Sequence, residues 1–213
     1  MTQASEDSMP IVEPPSEPPS TDHVVAGILL AAGESSRFAN GNKLLATLDG
    51  DPIVRRAGQA LATAGVTPRF VVLGNNADGV EAALEGLGYQ RISNPAYADG
   101  QATSLRAGIN ALDDVDAALI ALGDMPMIDP RSIHALVNAY RADAGSALAA
   151  AFEGRRGNPV LFDERHFETL LSVTGDTGGR QLLLEQGVLV ETGDPGVLQD
   201  VDTREDLASL QRG

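Results

Sequence analysis

Cysteine is absent from this chain, and lysine occurs once, at Lys43. Without cysteine there can be no disulfide, no thiolate nucleophile and no sulfur-ligated zinc. Aromatic residues supply only 4% of the sequence, so a core must be built from aliphatic side chains. Positive charge is scarce: 15 Lys and Arg stand against 30 Asp and Glu, for a net charge of −15. That balance argues against a nucleic-acid footprint and against an anionic membrane surface. The longest apolar run, Val24 to Ala32, is far too short to span a bilayer. The N-terminus has neither the basic flank nor the apolar core of a signal peptide, so a cytoplasmic location is expected. Acidity with arginine in place of lysine resembles the composition of proteins adapted to high salt, where carboxylates hold water and screening weakens their repulsion.

What is present is an alternation. Residues 1–22 are proline-rich and acidic, and too poor in apolar surface to order themselves, so a disordered tail is expected there. Residues 23–213 read as one domain. The run from Val24 to Ala32 has the unbroken apolarity of a strand buried on both faces. Helical spacing follows from Pro52 to Gly65, then strand-like and helix-like stretches alternate as far as Asp124. Asp129 followed by Pro130 marks a helix start. Further on, residues 146–153 and 157–163 read as paired strands, 163–173 and 178–187 as helices, 187–192 and 196–202 as late strands, and 203–213 as a closing helix capped by Thr203. The pattern predicts an α/β, three-layer, Rossmann-like fold: an open, mixed but mostly parallel sheet with helices on both faces. Ligands in such sheets bind beyond the carboxyl ends of the strands.

The one ammonium sits in the loop after the first long strand. Gly33 follows Ala31 and Ala32, and small residues there let backbone N–H groups approach an anion. Arg37 offers a planar fork for phosphate oxygens and Lys43 a mobile point charge. Opposite unit charges about 4 Å apart attract by about 4 kcal/mol at an effective dielectric of 20. An acidic protein that binds a polyanion needs such a concentration of positive charge. The loop is not the dinucleotide fingerprint, because only Gly33 is available at the turn, and not a P-loop, because Asn42 separates Gly41 from Lys43 and Leu44 replaces the magnesium-binding hydroxyl.

Three further clusters draw attention. Gly100 and Ser104 open a helix-like stretch after Asn94, where N–H and O–H donors can meet an anion or a base edge. Asp124 lies just past a buried strand, as a magnesium ligand, a Walker-B carboxylate or a helix cap would. Asp202, with Asp200 beside it, can hold a metal; equally, Asp202 or Thr203 can cap the last helix. His23, His134 and His166 are scattered, and none pairs with another at metal-ligand spacing.

LAAGESSRF followed by KLL resembles the signature LAAG-x-S-x-R-M-G…K of the small nucleotidyltransferases, most of all the molybdenum cofactor cytidylyltransferases, within a group that also includes the guanylyltransferases. Phe38 replaces the usual Met, and one extra residue separates Arg37 from Lys43. The resemblance implies nucleotide contacts by Leu30, Ala31, Ala32, Gly33, Arg37, Lys43, Gly100 and Ser104. It implies catalytic roles for Arg37 and Lys43, and Mg²⁺ on Asp124 and Asp202. Segments 154–162 and 175–183 are similar to the family's acceptor-binding stretches. They suggest Arg156, Asn158 and Arg180 as acceptor contacts, with Asn158 standing where His is usual. CTP is the nucleotide implied, GTP the alternative, and molybdopterin the acceptor, with a molybdoenzyme as a downstream partner. Two other readings stay open: a P-loop-like NTP hydrolase, and a non-catalytic nucleotide-binding chaperone for molybdoenzymes.

Overall fold

In the computed structural model the described residues are 9–16, 21–38, 41–172 and 179–212. The strands are β1 (Ile11–Val12), β2 (Val25–Ala31), β3 (Thr47–Leu48), β4 (Asp51–Pro52), β5 (Arg69–Leu73), β6 (Gln90–Ser93), β7 (Ala117–Leu122), β8 (Ala147–Phe152), β9 (Arg155–Asp163) and β10 (Val188–Glu191). The helices are α1 (Ile53–Thr63), α2 (Ala77–Ala83), α3 (Gln101–Asn110), α4 (Pro130–Arg141), α5 (Phe167–Ser172), α6 (Arg180–Gln186) and α7 (Arg204–Leu210).

Eight strands form one sheet in the order β1-β10-β8-β9-β7-β2-β5-β6. All pairs are parallel except those of β9, which runs antiparallel to both β7 and β8. β2 lies inside the sheet between β7 and β5, and every one of its residues is buried. That is why it reads as a continuous apolar run and not as an alternation. Its side chains nonetheless divide by face. Leu29 and Ala31 join α1, α2 and α4 in one core, whereas Ile28 and Leu30 join α3, α5 and α6 in the other. The expected three layers are therefore present.

α4 has the start its sequence announces. The Asp129 carboxylate accepts from the Arg131 N–H, and Pro130 occupies the first turn, where its missing donor costs nothing. α7 begins with a reciprocal cap: Thr203 accepts from the Asp206 N–H, and the Asp206 carboxylate accepts from the Thr203 N–H.

Three expectations need correction. The segment read as a disordered tail contains β1. Met9 is buried, the Leu189 N–H donates to Pro10 O at 2.8 Å, and Ile11 and Val12 pair with Leu189 and Val190. Sheet hydrogen bonds and one buried side chain outweigh the unfavourable composition; residues 1–8 and 17–20 lie outside the described residues. The stretch 196–202 is not a strand. Asp194 accepts from the Gly196 N–H, and Pro195 to Leu198 form a 3-10 turn. The helix expected over 163–173 is divided into a 3-10 turn, Glu164–His166, and the short α5. Among the described residues, no helix is long and apolar enough to cross a membrane.

Candidate active site

The cleft opens beyond the carboxyl ends of β2 and β7, where the fold predicts a ligand. It has a volume of about 680 Å³ and is lined by Leu30, Ala32, Gly33, Arg37, Lys43, Gly100, Ser104, Asp124 and Asp202, among others. Ala31 is the exception among the nucleotide-contact residues expected from the sequence. It is 1% exposed and packs into the core shared with α1 and α4, as the alternation along β2 requires.

Lys43 is the centre of the arrangement. Its Nζ donates to Asp124 Oδ2 at 2.6 Å and to Asp202 Oδ1 at 2.8 Å. Arg37 Nη1 lies 2.8 Å from the other oxygen of Asp202, Oδ2. The Lys43 side chain is 13% exposed and that of Arg37 71%, so the ammonium is held deep and the guanidinium reaches in from the rim. Burial by itself would lower the pKa of Lys43. The charge of Asp124 and the hydrogen bonds to both carboxylates outweigh it and leave the pKa raised.

The backbone of Lys43 is fixed before its side chain is used. Asn42 caps the 3-10 turn Lys43–Leu45 by accepting from the Leu44 N–H at 2.9 Å. Ser35 Oγ accepts from the Lys43 N–H at 3.0 Å and itself lies 3.3 Å from Asn42 Oδ1. Asn42 Nδ2 also donates to Asn75 O, which ties the loop to the end of β5. Sequence reasoning missed Ser35 and Asn42 as positioning residues. The available signal was an N-cap residue directly before the lysine.

Asp124 follows β7 by two residues, and the Gly123 N–H donates to Leu30 O at 2.9 Å, bringing this turn against the end of β2. The Val201 N–H donates to Asp124 O at 2.9 Å, so a single backbone bond places Asp200 and Asp202 beside Asp124. Thr203 takes the helix cap, which leaves Asp202 free to face the cleft. Carboxylate oxygens of Asp124, Asp200 and Asp202 all lie within 4.8 Å of one another. Partial desolvation of its carboxyl group, then the charges of Asp124 and Asp202, raise the pKa of Asp200. Asp124 Oδ1 is buried and has no hydrogen-bond partner among the described residues. An orphaned carboxylate oxygen within an all-oxygen donor set fits a hard divalent cation.

The opposite wall comes from the start of α3. Gly100 adopts φ 104°, a conformation that favours glycine, and turns the chain from the 3-10 segment Tyr97–Asp99 into the helix. Ser104 is 5% exposed, and its Oγ accepts from Asn94 Nδ2 at 2.9 Å. Tyr97 and Asp99 also line the cleft, and neither was expected to. Arg156, Asn158 and Arg180 meet at a smaller cavity of about 180 Å³, walled by apolar side chains such as Val160 and Phe162. Leu30, Gln101 and Leu122 line both spaces, so the two cavities adjoin. Of the 175–183 segment, residues 175–178 lie outside the described residues.

Residues 27–190 match the family described as the MobA-like NTP transferase domain. The chain belongs to that family. Among the relatives of this MobA-like domain, nicotine blue oxidoreductase of Paenarthrobacter nicotinovorans is 30% identical over 197 residues, covering 87% of this chain and 96% of that protein. A protein of Natronomonas pharaonis named "Probable molybdenum cofactor guanylyltransferase" is 27% identical over 194 residues, covering 85% and 94%. Among solved structures, Rv0371c from Mycobacterium tuberculosis H37Rv superposes with a TM-score of 0.77 at 23% identity, covering 91% of this chain and 100% of that one. A second structure of Rv0371C is a complex with manganese, with a TM-score of 0.71 at 22% identity. These superpositions establish the fold of this MobA-like domain, a nucleotidyltransferase fold with a mostly parallel sheet.

Proposed function

We propose that the protein transfers CMP from CTP to a phosphorylated acceptor, molybdopterin, and releases pyrophosphate. The observation that carries this reading is the convergence of Lys43 and Arg37 with Asp124 and Asp202 in the cleft beyond β2 and β7. In a protein with one lysine, that convergence places positive charge where a triphosphate would need it.

The chemistry asks little of the side chains beyond placement. An ionised phosphate oxygen of the acceptor attacks the α-phosphorus of the nucleotide. The bond to the β-phosphate oxygen breaks, and its electron pair leaves with pyrophosphate. No general base is required, because the attacking oxygen carries no proton to remove. Rate comes from holding two anions together and neutralising the charge that develops. Lys43 and Arg37 serve the leaving pyrophosphate. Leu30, Ala32 and Gly33, with the start of α3 at Gly100 and Ser104, enclose the nucleoside; Ala31 contributes only through its backbone. Asp124, Asp202 and Asp200 would hold Mg²⁺, which when bound neutralises phosphate oxygens. Arg156, Asn158 and Arg180 would receive the acceptor, and their cavity adjoins the cleft, as transfer between the two requires. Delivery of the product to a molybdoenzyme in the cytoplasm follows from the same reading.

The test is to incubate the purified protein with Mg²⁺, molybdopterin and either CTP or GTP. Pyrophosphate should be released with CTP, and Asp124→Asn should abolish the release. Release with GTP alone changes the nucleotide assignment. Steady orthophosphate release without acceptor identifies a hydrolase. Redox turnover of nicotine blue with no nucleotidyl transfer would align the chain with its oxidoreductase-named relative and end the proposal.

A further inference from the structure

Lys43 occupies ground that a divalent cation would need. Its ammonium lies between Asp124 Oδ2 and Asp202 Oδ1, within 2.8 Å of each, while Arg37 takes Asp202 Oδ2. Two of the three carboxylates are thus met by cationic side chains, and Asp124 Oδ1 is buried with no partner among the described residues. A hard cation binds carboxylate oxygens at about 2.0–2.6 Å, closer than an ammonium does. It cannot take Asp124 and Asp202 together while the like-charged Nζ sits hydrogen-bonded to both.

We propose that Lys43 is a resident counter-ion that competes with the metal for Asp124 and Asp202, so that metal and triphosphate binding are coupled through this one side chain. The inference rests on the reading of the cleft as a triphosphate site. A triphosphate offers Lys43 and Arg37 a stronger anion and draws them off the carboxylates; the vacated oxygens then accept the cation. Only the side chain has to move. The Lys43 N–H is held by Ser35 Oγ, and the turn it starts is capped by Asn42, so the four-carbon stem pivots about a fixed backbone. Lysine suits this exchange better than arginine, being a compact charge on a flexible stem that makes no planar fork with either carboxylate. Coupling is reciprocal by linkage: whatever the nucleotide does for the metal, the metal does for the nucleotide. The result is a site whose negative charge is partly compensated when empty and which binds metal more tightly once the triphosphate is present.

Two experiments test this. In the first, Mn²⁺ alone is titrated into the nucleotide-free protein and free Mn²⁺ is followed by electron paramagnetic resonance. Lys43→Met should bind Mn²⁺ about tenfold more tightly than the native protein, a change within the usual range of site coupling. Lys43→Arg, which keeps a competing cation, should stay near the native affinity, and Asp124→Asn should lose binding in every background. Equal affinity of the native protein and a folded Lys43→Met variant overturns the competition. The second needs no variant, because Lys43 is the only lysine: lysine labelled with ¹³C at Cε gives one side-chain resonance. Mg²⁺ alone at moderate concentration should barely move it, and Mg²⁺ with a non-hydrolysable CTP analogue should move it strongly. Saturation of the carboxylates by Mg²⁺ with the resonance unmoved overturns the competition. An analogue that never moves it, while the Mn²⁺ result stands, overturns the coupling and removes the triphosphate reading separately.

Discussion

Replacing Asp200 by Asn should make the protein more stable and less active. The three carboxylates lie within 4.8 Å of one another. At that separation two like charges repel by about 0.9 kcal/mol in a water-like medium and about 3.5 kcal/mol at an effective dielectric of 20. Asp200 is exposed, so the lower figure applies to each of its two neighbours. Lys43 returns part of this by attraction, though it is hydrogen-bonded to Asp124 and Asp202 and not to Asp200. The net relief on neutralising Asp200 is then about 1 kcal/mol in the nucleotide-free protein. For a chain of this length that corresponds to a rise in Tm of about 2–4 °C. The rise should shrink in high salt, since screening already weakens what the substitution removes. On the proposed reading activity should fall by about tenfold or more, because the candidate metal site would lose one of three carboxylates. Thermal denaturation of the native and Asp200→Asn proteins at low and at high salt, with pyrophosphate release measured in parallel, checks both halves. A lower Tm at low salt would show that Asp200 is held by attraction and would refute the charge argument. Full activity with a raised Tm would remove Asp200 from the metal set.

Three more outcomes are expected. Thr203→Ala removes the reciprocal cap of α7 and should cost about 1 kcal/mol in a urea titration, with a loss of activity because Asp202 adjoins the cap. Gly157→Ala should destabilise by about 1–3 kcal/mol, because a Cβ there would collide with the backbone oxygen of Val197, where nothing can yield cheaply. His166 is buried beside Ser146 Oγ, and desolvation, followed by the opposed charges of Asp163 and Arg165, leaves its pKa lowered. Below pH 6.5 the unfolded chain therefore binds more protons at this residue than the native one, so stability falls as pH drops through that point. His166→Asn should flatten the urea midpoint between pH 7.5 and 5.5; an unchanged slope would place the dependence elsewhere.

Much of the fold could be read from local pattern, for reasons that are themselves local. β2 is covered on both faces, so its whole length is apolar; α4 carries its own cap and proline; β8 and β9 are separated by a two-residue turn and pair as neighbours. Misreadings fell where a sheet edge or a turn cap overrode the apolar pattern. Residues 9–12 are ordered by the free edge of β10, and residues 195–198 turn because Asp194 caps them and no sheet neighbour is offered.

The candidate site divides in the same way. Residue type and spacing were enough to pick out the chemically fit side chains: a lone ammonium in a glycine-bearing loop, a guanidinium six residues before it, and carboxylates just past buried or irregular segments. They showed also that no thiol could take part. That Lys43 meets Asp124 and Asp202, which lie 81 and 159 residues away along the chain, is visible in the folded protein alone. The fold alone turned Asp202 toward Lys43 and Arg37, and it alone set Arg156, Asn158 and Arg180 around one cavity beside the cleft. The physical reason is that residue type and local propensity are carried by neighbours in sequence. Convergence is carried by the order of β2, β7 and β9 in the sheet and by one backbone bond from Val201 to Asp124, which no local pattern encodes.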